Sequence, residues 1–285
     1  VVERVGGADR YDTNRLVIQL AQNNTDSVLW QARLRHQFFY GQSSQRTALM
    51  ASGENFPDAL AFGPISYGTT GCEGVADGDR RGRPGQFDRC KGFPLILTEG
   101  DALSPTAESL LDTIDIDTVV VAGGTAAVSA AVVTEMEAMG IQVIRLGGVD
   151  RIETATIIAD WISSSSTTFL GRPDPAGLSW NGEQVFLARA DDFADALAAA
   201  PIVAAGDLFN QGDLTRRNIL LLTDTDELSE DTEEWLEDNK ASQPICEVTA
   251  LGLSAAIAND VLDDAQRAIA GTGVCFNGDR NDDEN

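Results

Sequence analysis

The sequence predicts an α/β protein made of two tandem, doubly wound parallel-sheet units. Three observations carry that expectation. The stretch "RVGGADRYDT" at 4–13 returns as "RLGGVDRIET" at 145–154, and self-similarity at a long period marks a duplicated architecture. Short apolar runs alternate with segments of helical period in the same order after each copy. That alternation requires parallel crossovers and a sheet covered on both faces.

In the first copy, "YDTNRLVIQLA" places Leu16, Val17 and Leu20 at helical spacing, and "TALMASG" reads as a short strand. "ENFPDALAFGPI" is a helix with Pro57 in its first turn and Asp58 facing the positive end of the dipole. "PLILT" is a strand, and "SPTAESLLDTI" a helix capped by Ser104 with Pro105 at its first position. "TVVVAGG" is a buried strand, "SAAVVTEMEAMG" a helix closed by Gly140, and "QVIRLGG" restarts the pattern. The second copy answers with "ATIIADWI", "VFLARADDFADALAAAPIVAAG", "NILLLT" and "ICEVTALGLSAAIANDVLDDA". The expected units are 1–144 and 145–276, followed by an acidic mobile tail at 277–285. Segments 28–46, 68–92, 163–184 and 206–217 read as inserted surface loops, the kind that often carries function.

Charge narrows the partners. The 285 residues hold 20 Lys plus Arg against 45 Asp plus Glu, a net of −25. Such a surface repels phosphate backbones and argues against nucleic acid. Lys91 and Lys240 are the two lysines, and an acidic, lysine-poor surface suits a salty medium that screens self-repulsion. No apolar run approaches a membrane span. The start at "VVERVGG", without Met, reads as a processed or trimmed product. Four cysteines fall into local pairs, expected to bridge as Cys72–Cys90 and Cys246–Cys275, which implies an oxidising, extracellular or cell-surface setting. "NNT" makes Asn23 a glycosylation candidate.

"GGADRYDT", "ASGENFPDALA", "PLILT" and "VVVAGGTAAVS" together resemble the successive signatures of the cell-wall-binding repeat of the second type. The match covers both copies and leaves out the loops and tail. The resemblance implies a Rossmann-like (flavodoxin-like) fold per repeat. It also implies a non-catalytic role, in which a surface protein is held without a covalent bond to an anionic polymer or glycan of the envelope. The Ile-Leu-Leu run that the family ties to anchoring corresponds to Leu95–Ile96–Leu97 and Ile219–Leu220–Leu221, which on physical grounds read as buried strands. Family modules commonly have three repeats in a triangle, whereas two are present here. A third supplied by another chain or by a trimmed part of the precursor leaves an apolar face, so a homo-oligomer or a complex with other surface-protein chains is expected.

The candidate site residues follow from the repeated motifs. Gly6, Gly7, Gly147 and Gly148 sit where a strand turns into a helix, and such turns can cradle an anion on backbone amides, or simply allow a tight turn. Asp9–Arg10 and Asp150–Arg151 can grip a ligand carboxylate or phosphate, or bond carbonyls where repeats meet; the repetition favours the structural role. Asn55, Asp58, Asp192 and Asp195 lie beyond the carboxyl ends of parallel strands, where open α/β sheets bind ligands; helix capping is the competing role. Neither metal nor cofactor is expected, and no full dinucleotide fingerprint is present. With His36 the single histidine, placed in a loop, a nucleophilic relay has little support. The leading expectation is a non-catalytic surface module. Its alternatives are a self-assembling subunit of a surface layer or filament, and a glycan-cleaving enzyme using paired carboxylates.

Overall fold

The computed structural model describes residues 4–23, 47–54, 57–67, 93–164, 180, 182–192, 194–205, 218–241 and 245–271. Their order in the first copy is α1 (Arg10–Asn23), β1 (Thr47–Ser52), α2 (Pro57–Tyr67), β2 (Leu95–Thr98), α3 (Pro105–Ile114), β3 (Thr118–Ala122), α4 (Ala130–Ala138) and β4 (Gln142–Leu146). The second runs α5 (Arg151–Ser163), β5 (Gln184–Arg189), α6 (Ala194–Ala205), β6 (Ile219–Thr223), α7 (Glu230–Asn239), β7 (Glu247–Ala250) and α8 (Asn259–Ala268).

The strands form two all-parallel sheets, ordered β2-β1-β3-β4 and β6-β5-β7. In each, the first strand of the copy lies inside and the chain winds outward to both sides, the flavodoxin-like order. The tandem parallel α/β architecture expected from the repeat is therefore the one present. β1 and β6 are buried along their whole length, which explains their unbroken apolar sequences. Ile219, Leu220 and Leu221 all lie in the core, as does Ile96 between two half-buried leucines. These residues act by packing.

Capping residues fix the helix starts. Ser104 accepts from the Ala107 amide at 3.2 Å ahead of Pro105, and Ser129 accepts from Val132 at 3.5 Å. Gly140, at φ +84°, closes α4. The loops after β2 and β6 share a lock: the Thr98 hydroxyl receives the Ser104 amide, and that of Thr223 receives the Ser229 amide, both at 3.0 Å. α7 was not anticipated. Its "EDTEEWLEDN" is polar over most of its circumference, and Thr232, Trp235 and Leu236 alone are buried along it. The legible signal was Ser229 followed by acids in the first turn.

Alternate residues of the first sheet point into two cores. Ala48, Met50, Ile96, Val119 and Val121 face a core with Leu110, Leu111 and Met136. Leu49, Ala51, Val120, Ala122, Ile144 and Leu146 face the other way, into a cluster that continues through α2 and α5 into both faces of the second sheet. The two copies thus share one core. Its centre is Trp161 of α5, fully buried, with its ring 6.5 Å from Phe62 of α2 and 6.3 Å from Phe93. At the outer edge of the first sheet, Asn14 of α1 receives Leu97 N–H at 3.1 Å and donates to Leu95 O at 2.9 Å, satisfying backbone that β2 would otherwise leave open.

Some expectations need amendment. The segment at 163–184 is not wholly a surface loop: Trp180 is buried in the shared core and its amide donates to Ile162 O at 2.8 Å. A large apolar ring gains more by joining that core than by staying in water. β4 pairs with β3 through Leu146, so the first sheet extends past the boundary drawn at 144. Cys246, the one described cysteine, is not a free thiol. Cys72, Cys90 and Cys275 lie outside the described residues, so the pairs Cys72–Cys90 and Cys246–Cys275 stand as a proposal. Asn23 ends α1, with the rest of its sequon outside the described residues. Segments 28–46, 68–92 and 206–217, His36 and the tail also lie outside them.

Two substitutions test this account of the fold. Trp161→Ala is expected to cost about 3–5 kcal/mol in equilibrium urea unfolding, the range for emptying a large aromatic site. Ser104→Ala is expected to cost about 0.5–2 kcal/mol by the same measurement, through loss of the α3 cap.

Candidate functional site

The repeated ten residues fold into the same strand-to-helix turn twice. Asp150 caps α5, its carboxylate accepting from Ile152 N at 2.8 Å and Glu153 N at 3.0 Å, while Glu153 reaches back to the Val149 amide. The Thr154 hydroxyl accepts from Gly148 N at 3.1 Å. In the first copy, Asp9 accepts from Asp12 N at 2.8 Å, Asp12 reaches back to Ala8 N at 3.1 Å, and Thr13 accepts from Gly7 N at 2.9 Å. This is a reciprocal capping box. It commits the amides of Gly7 and Gly148 to threonine hydroxyls and sets a carboxylate beside each turn, the opposite of what an anion needs.

The glycines follow from close approach. A Cβ on Gly7 would lie 2.4 Å from Asp12 Oδ2, and one on Gly148 would lie 2.5 Å from Glu153. A Cβ on Gly147 would lie 2.5 Å from the Gly123 carbonyl, because the turn packs on the one after β3. Gly6, its counterpart, has nothing within 4 Å. Arg145, in β4, grips the same turn: its guanidinium donates to Gly123 O at 2.7 Å, Gly124 O at 3.0 Å and Val128 O at 2.7 Å. Burial pushes its pKa down. Arg145 was not singled out from the sequence, although the Arg before each double glycine was a visible signal.

Each Asp-Arg pair then reaches the carboxyl edge of a sheet. Arg10 Nη1 donates to Gly53 O at 2.5 Å, just past β1, and Arg151 Nη1 donates to Ala190 O at 2.7 Å, just past β5. Asp58 and Asp195 also occupy matching places, in the first turns of α2 and α6. Each carboxylate rests on a glycine of left-handed backbone: Gly123 at φ +90° and Gly252 at φ +98°, where a Cβ would lie 2.3 and 2.6 Å from the acid oxygen. Burial raises the Asp58 pKa, and the Arg151 charge partly offsets it. Asp58, from the first copy, therefore faces the arginine that fastens the second. Asp192 accepts from Ala194 N at 3.3 Å, at the start of α6. Asn55 lies outside the described residues.

The same edge holds polar groups that the motifs did not point to. Arg189 grips Asp191 with a fork, Nε to Oδ1 at 2.6 Å and Nη2 to Oδ2 at 2.7 Å. Tyr11 lies against Gly53, where a Cβ would meet its ring at 2.5 Å. Burial, then Glu54 and Glu99, push its phenol pKa up. The signal for Tyr11 was a difference between the copies, since its counterpart is Ile152. The first sheet thus carries Arg10, Tyr11, Glu54 and Glu99 at its edge, and the seam between copies carries Asp58, Arg151, Arg189 and Asp191. Chemically, these forks, carboxylates and a phenol can exchange hydrogen bonds with sugar hydroxyls. Among the described residues, no group of three or more His, Cys, Asp or Glu is placed to hold a metal ion. No described helix is long and apolar enough to cross a membrane.

Comparison with known proteins agrees with this layout. N-acetylmuramoyl-L-alanine amidase LytC of Bacillus subtilis (strain 168) is 26% identical over 165 residues, which are 58% of this chain and 25% of that protein. Cwp8 from Clostridium difficile superposes with a TM-score of 0.59 at 19% identity, covering 94% of this chain and 33% of that one. Cwp6 from Clostridium difficile does so with a TM-score of 0.61 at 18% identity, covering 93% of this chain and 31% of that one. The chain therefore spans about a quarter to a third of these relatives, and the two structures share its fold. The family model for Cell wall binding domain 2 matches residues 4–71 and 145–262. Both matches begin on the arginine that heads a copy, and together they take in most of the chain: it belongs to the Cell wall binding domain 2 family.

Proposed function

We propose that this chain is a non-catalytic, extracellular adhesion module that holds a surface protein to an envelope polymer or glycan. The observation that carries the reading is the coincidence of the two family matches with the two copies of the capped turn. The contact surface is the carboxyl edge of the sheets around the seam, with Arg10, Tyr11, Glu54, Asp58, Arg151 and Asp191. Support for a non-catalytic role comes from what these side chains already do. Asp9 and Asp150 cap helices, Arg10 and Arg151 hold carbonyls, and Asp191 is held in a fork. The stretch shared with the amidase is a quarter of that enzyme, consistent with a common binding part joined to different neighbours.

A net charge of −25 shapes the ligand. At low salt an anionic polymer is repelled unless cations bridge it, whereas a neutral glycan read through hydroxyls is not. Co-sedimentation with purified envelopes across a salt series tests the proposal. Retention that persists or strengthens with salt, and is competed by soluble envelope polysaccharide, is expected. No retention at any salt rejects it.

Asp58→Asn separates binding from folding. Because burial raises the Asp58 pKa, the folded state holds this proton more tightly than the unfolded chain does. The native carboxylate therefore costs stability above its folded pKa, and that cost fades as pH falls through it. The Asn variant is expected to be as stable as the parent or more so at neutral pH, its advantage over the parent in thermal melts shrinking as pH falls through the folded pKa of Asp58. Its retention on envelopes is expected to drop if Asp58 touches the ligand.

A further inference from the structure

The turns after β3 and β7 share one geometry, but a guanidinium is described in the first alone. Gly123 and Gly252 match, at φ +90° and +98°. Gly124 O accepts from Ala127 N at 3.1 Å and Val128 N at 3.2 Å, and Leu253 O accepts from Ala256 N at 2.7 Å and Ile257 N at 3.2 Å. The carbonyls of Gly252, Leu253 and Ile257 are thus placed as those of Gly123, Gly124 and Val128 are around Arg145. Among the described residues, no side chain donates to the second set. The described cations of the second copy are engaged elsewhere: Arg151 with Ala190 O, Arg189 with Asp191, Lys240 with Ala268 O and Arg267 with Asp264. The adjacent strand differs in the same way. β3 is buried throughout between β1 and β4, whereas β7 is exposed at Glu247 and half-buried from Val248 to Ala250. Glu247 and Leu251 donate toward β5, so Val248 and Ala250 turn their backbone groups outward. Leu253 is 84% exposed.

We propose that Arg280 of this chain, which lies outside the described residues, binds the carbonyls of Gly252, Leu253 and Ile257, with the residues before it laid along the outer edge of β7 as a fourth parallel strand. The first copy sets the chemistry: three convergent carbonyls with the Asp195 carboxylate close by suit a planar, multi-donor cation. Topology sets the source. α4 closes on Gly140 at φ +84° and leads into β4 on the outer side of β3; α8 is followed by Gly271 at φ +85°. A right-handed crossover delivers the next residues to the outer side of β7. Beyond Arg267, Arg280 is the one basic residue of the sequence. The reach also fits. Cys246, just before β7, is not a free thiol, and the Cys246–Cys275 bond expected from the sequence anchors the segment at the amino end of that strand. Arg280 lies five residues past Cys275, about 16 Å of extended chain, which is the run from Cys246 to Leu251. Such a strand pairs the outward backbone of β7 and denies that edge to other chains. The inference does not depend on which ligand the carboxyl edge takes.

Amide hydrogen exchange of the whole chain, read residue by residue by NMR, tests it. Val248, Ala250 and Gly252 are expected to be protected, as are their counterparts Val119, Val121 and Gly123, which β4 covers. Arg280→Gln is expected to speed exchange at Val248, Ala250 and Gly252 by about tenfold or more, the effect of losing a charge-assisted hydrogen bond. The same variant is expected to leave Val119, Val121 and Gly123 unchanged, which also shows that it remains folded. Arg280→Lys keeps the charge without the planar fork and is expected to fall between the parent and the Gln variant. Exchange at Val248 and Ala250 at the unprotected rate in the parent overturns the proposal. So does protection that Arg280→Gln leaves intact, which assigns the edge to a different cover. Equal acceleration in both sheets also counts against it, because the variant then reports global destabilisation rather than a contact at β7.

Discussion

Everything in this molecule is arranged around the burial of α2 beneath α5 and α6. Leu60, Phe62 and Ile65 lie in one cluster with the first sheet's Leu49, Ala51 and Val120 and with side chains of the second copy, and Trp161 reaches across to meet Phe62 and Phe93. One face of the first sheet is covered by α1, α3 and α4, and the other by α2 together with α5 of the second copy. The cluster around Trp161 draws on both copies, whereas the one around Leu110 and Met136 lies wholly in the first. The Asp58–Arg151 neighbourhood is a consequence: the helix that plugs the core begins with the arginine that faces the first copy's acid and fastens the second copy's strand end.

The duplicated ten-residue stretch has a local cause. Asp at the cap, an acid three residues later and Thr after it satisfy the first amides of a helix entering from a double-glycine turn. Gly7, Gly147 and Gly148 are there because the capping acids and the neighbouring turn leave no room for a Cβ. That explains why the pattern survives in both copies while the strands drift in sequence, and why it reads as a fold motif before it reads as a ligand motif. Chemistry, where the copies carry it, lies at the adjacent sheet edge.

Much of this was legible in the sequence. Apolar runs such as "TVVVA" and punctuation such as Ser104–Pro105 report local structure directly, and so strands, helix starts and the tandem order could be read. α7 escaped because its buried stripe is three residues wide on an otherwise acidic helix. Trp180 escaped because a Ser- and Pro-rich segment masks one core residue within a loop. The site was legible only as motif positions. Arg145, Tyr11 and the Arg189–Asp191 fork depend on which turn or strand end lies across the sheet, and spacing along one chain does not carry that information. The exposure of Leu197 and Ile202 was beyond reach for the same reason, since "DALAFGPI" and "DALAAAPI" look alike until their surroundings are compared.

A shared core makes a definite statement about cooperativity. Two units that seal each other's hydrophobic face lose their stability together, whereas two self-sufficient domains joined by a linker melt one after the other. Differential scanning calorimetry of the intact chain at high salt reads this directly. The account predicts a single transition whose calorimetric and van't Hoff enthalpies agree. Two resolved transitions, each with the enthalpy of half the chain, would contradict it.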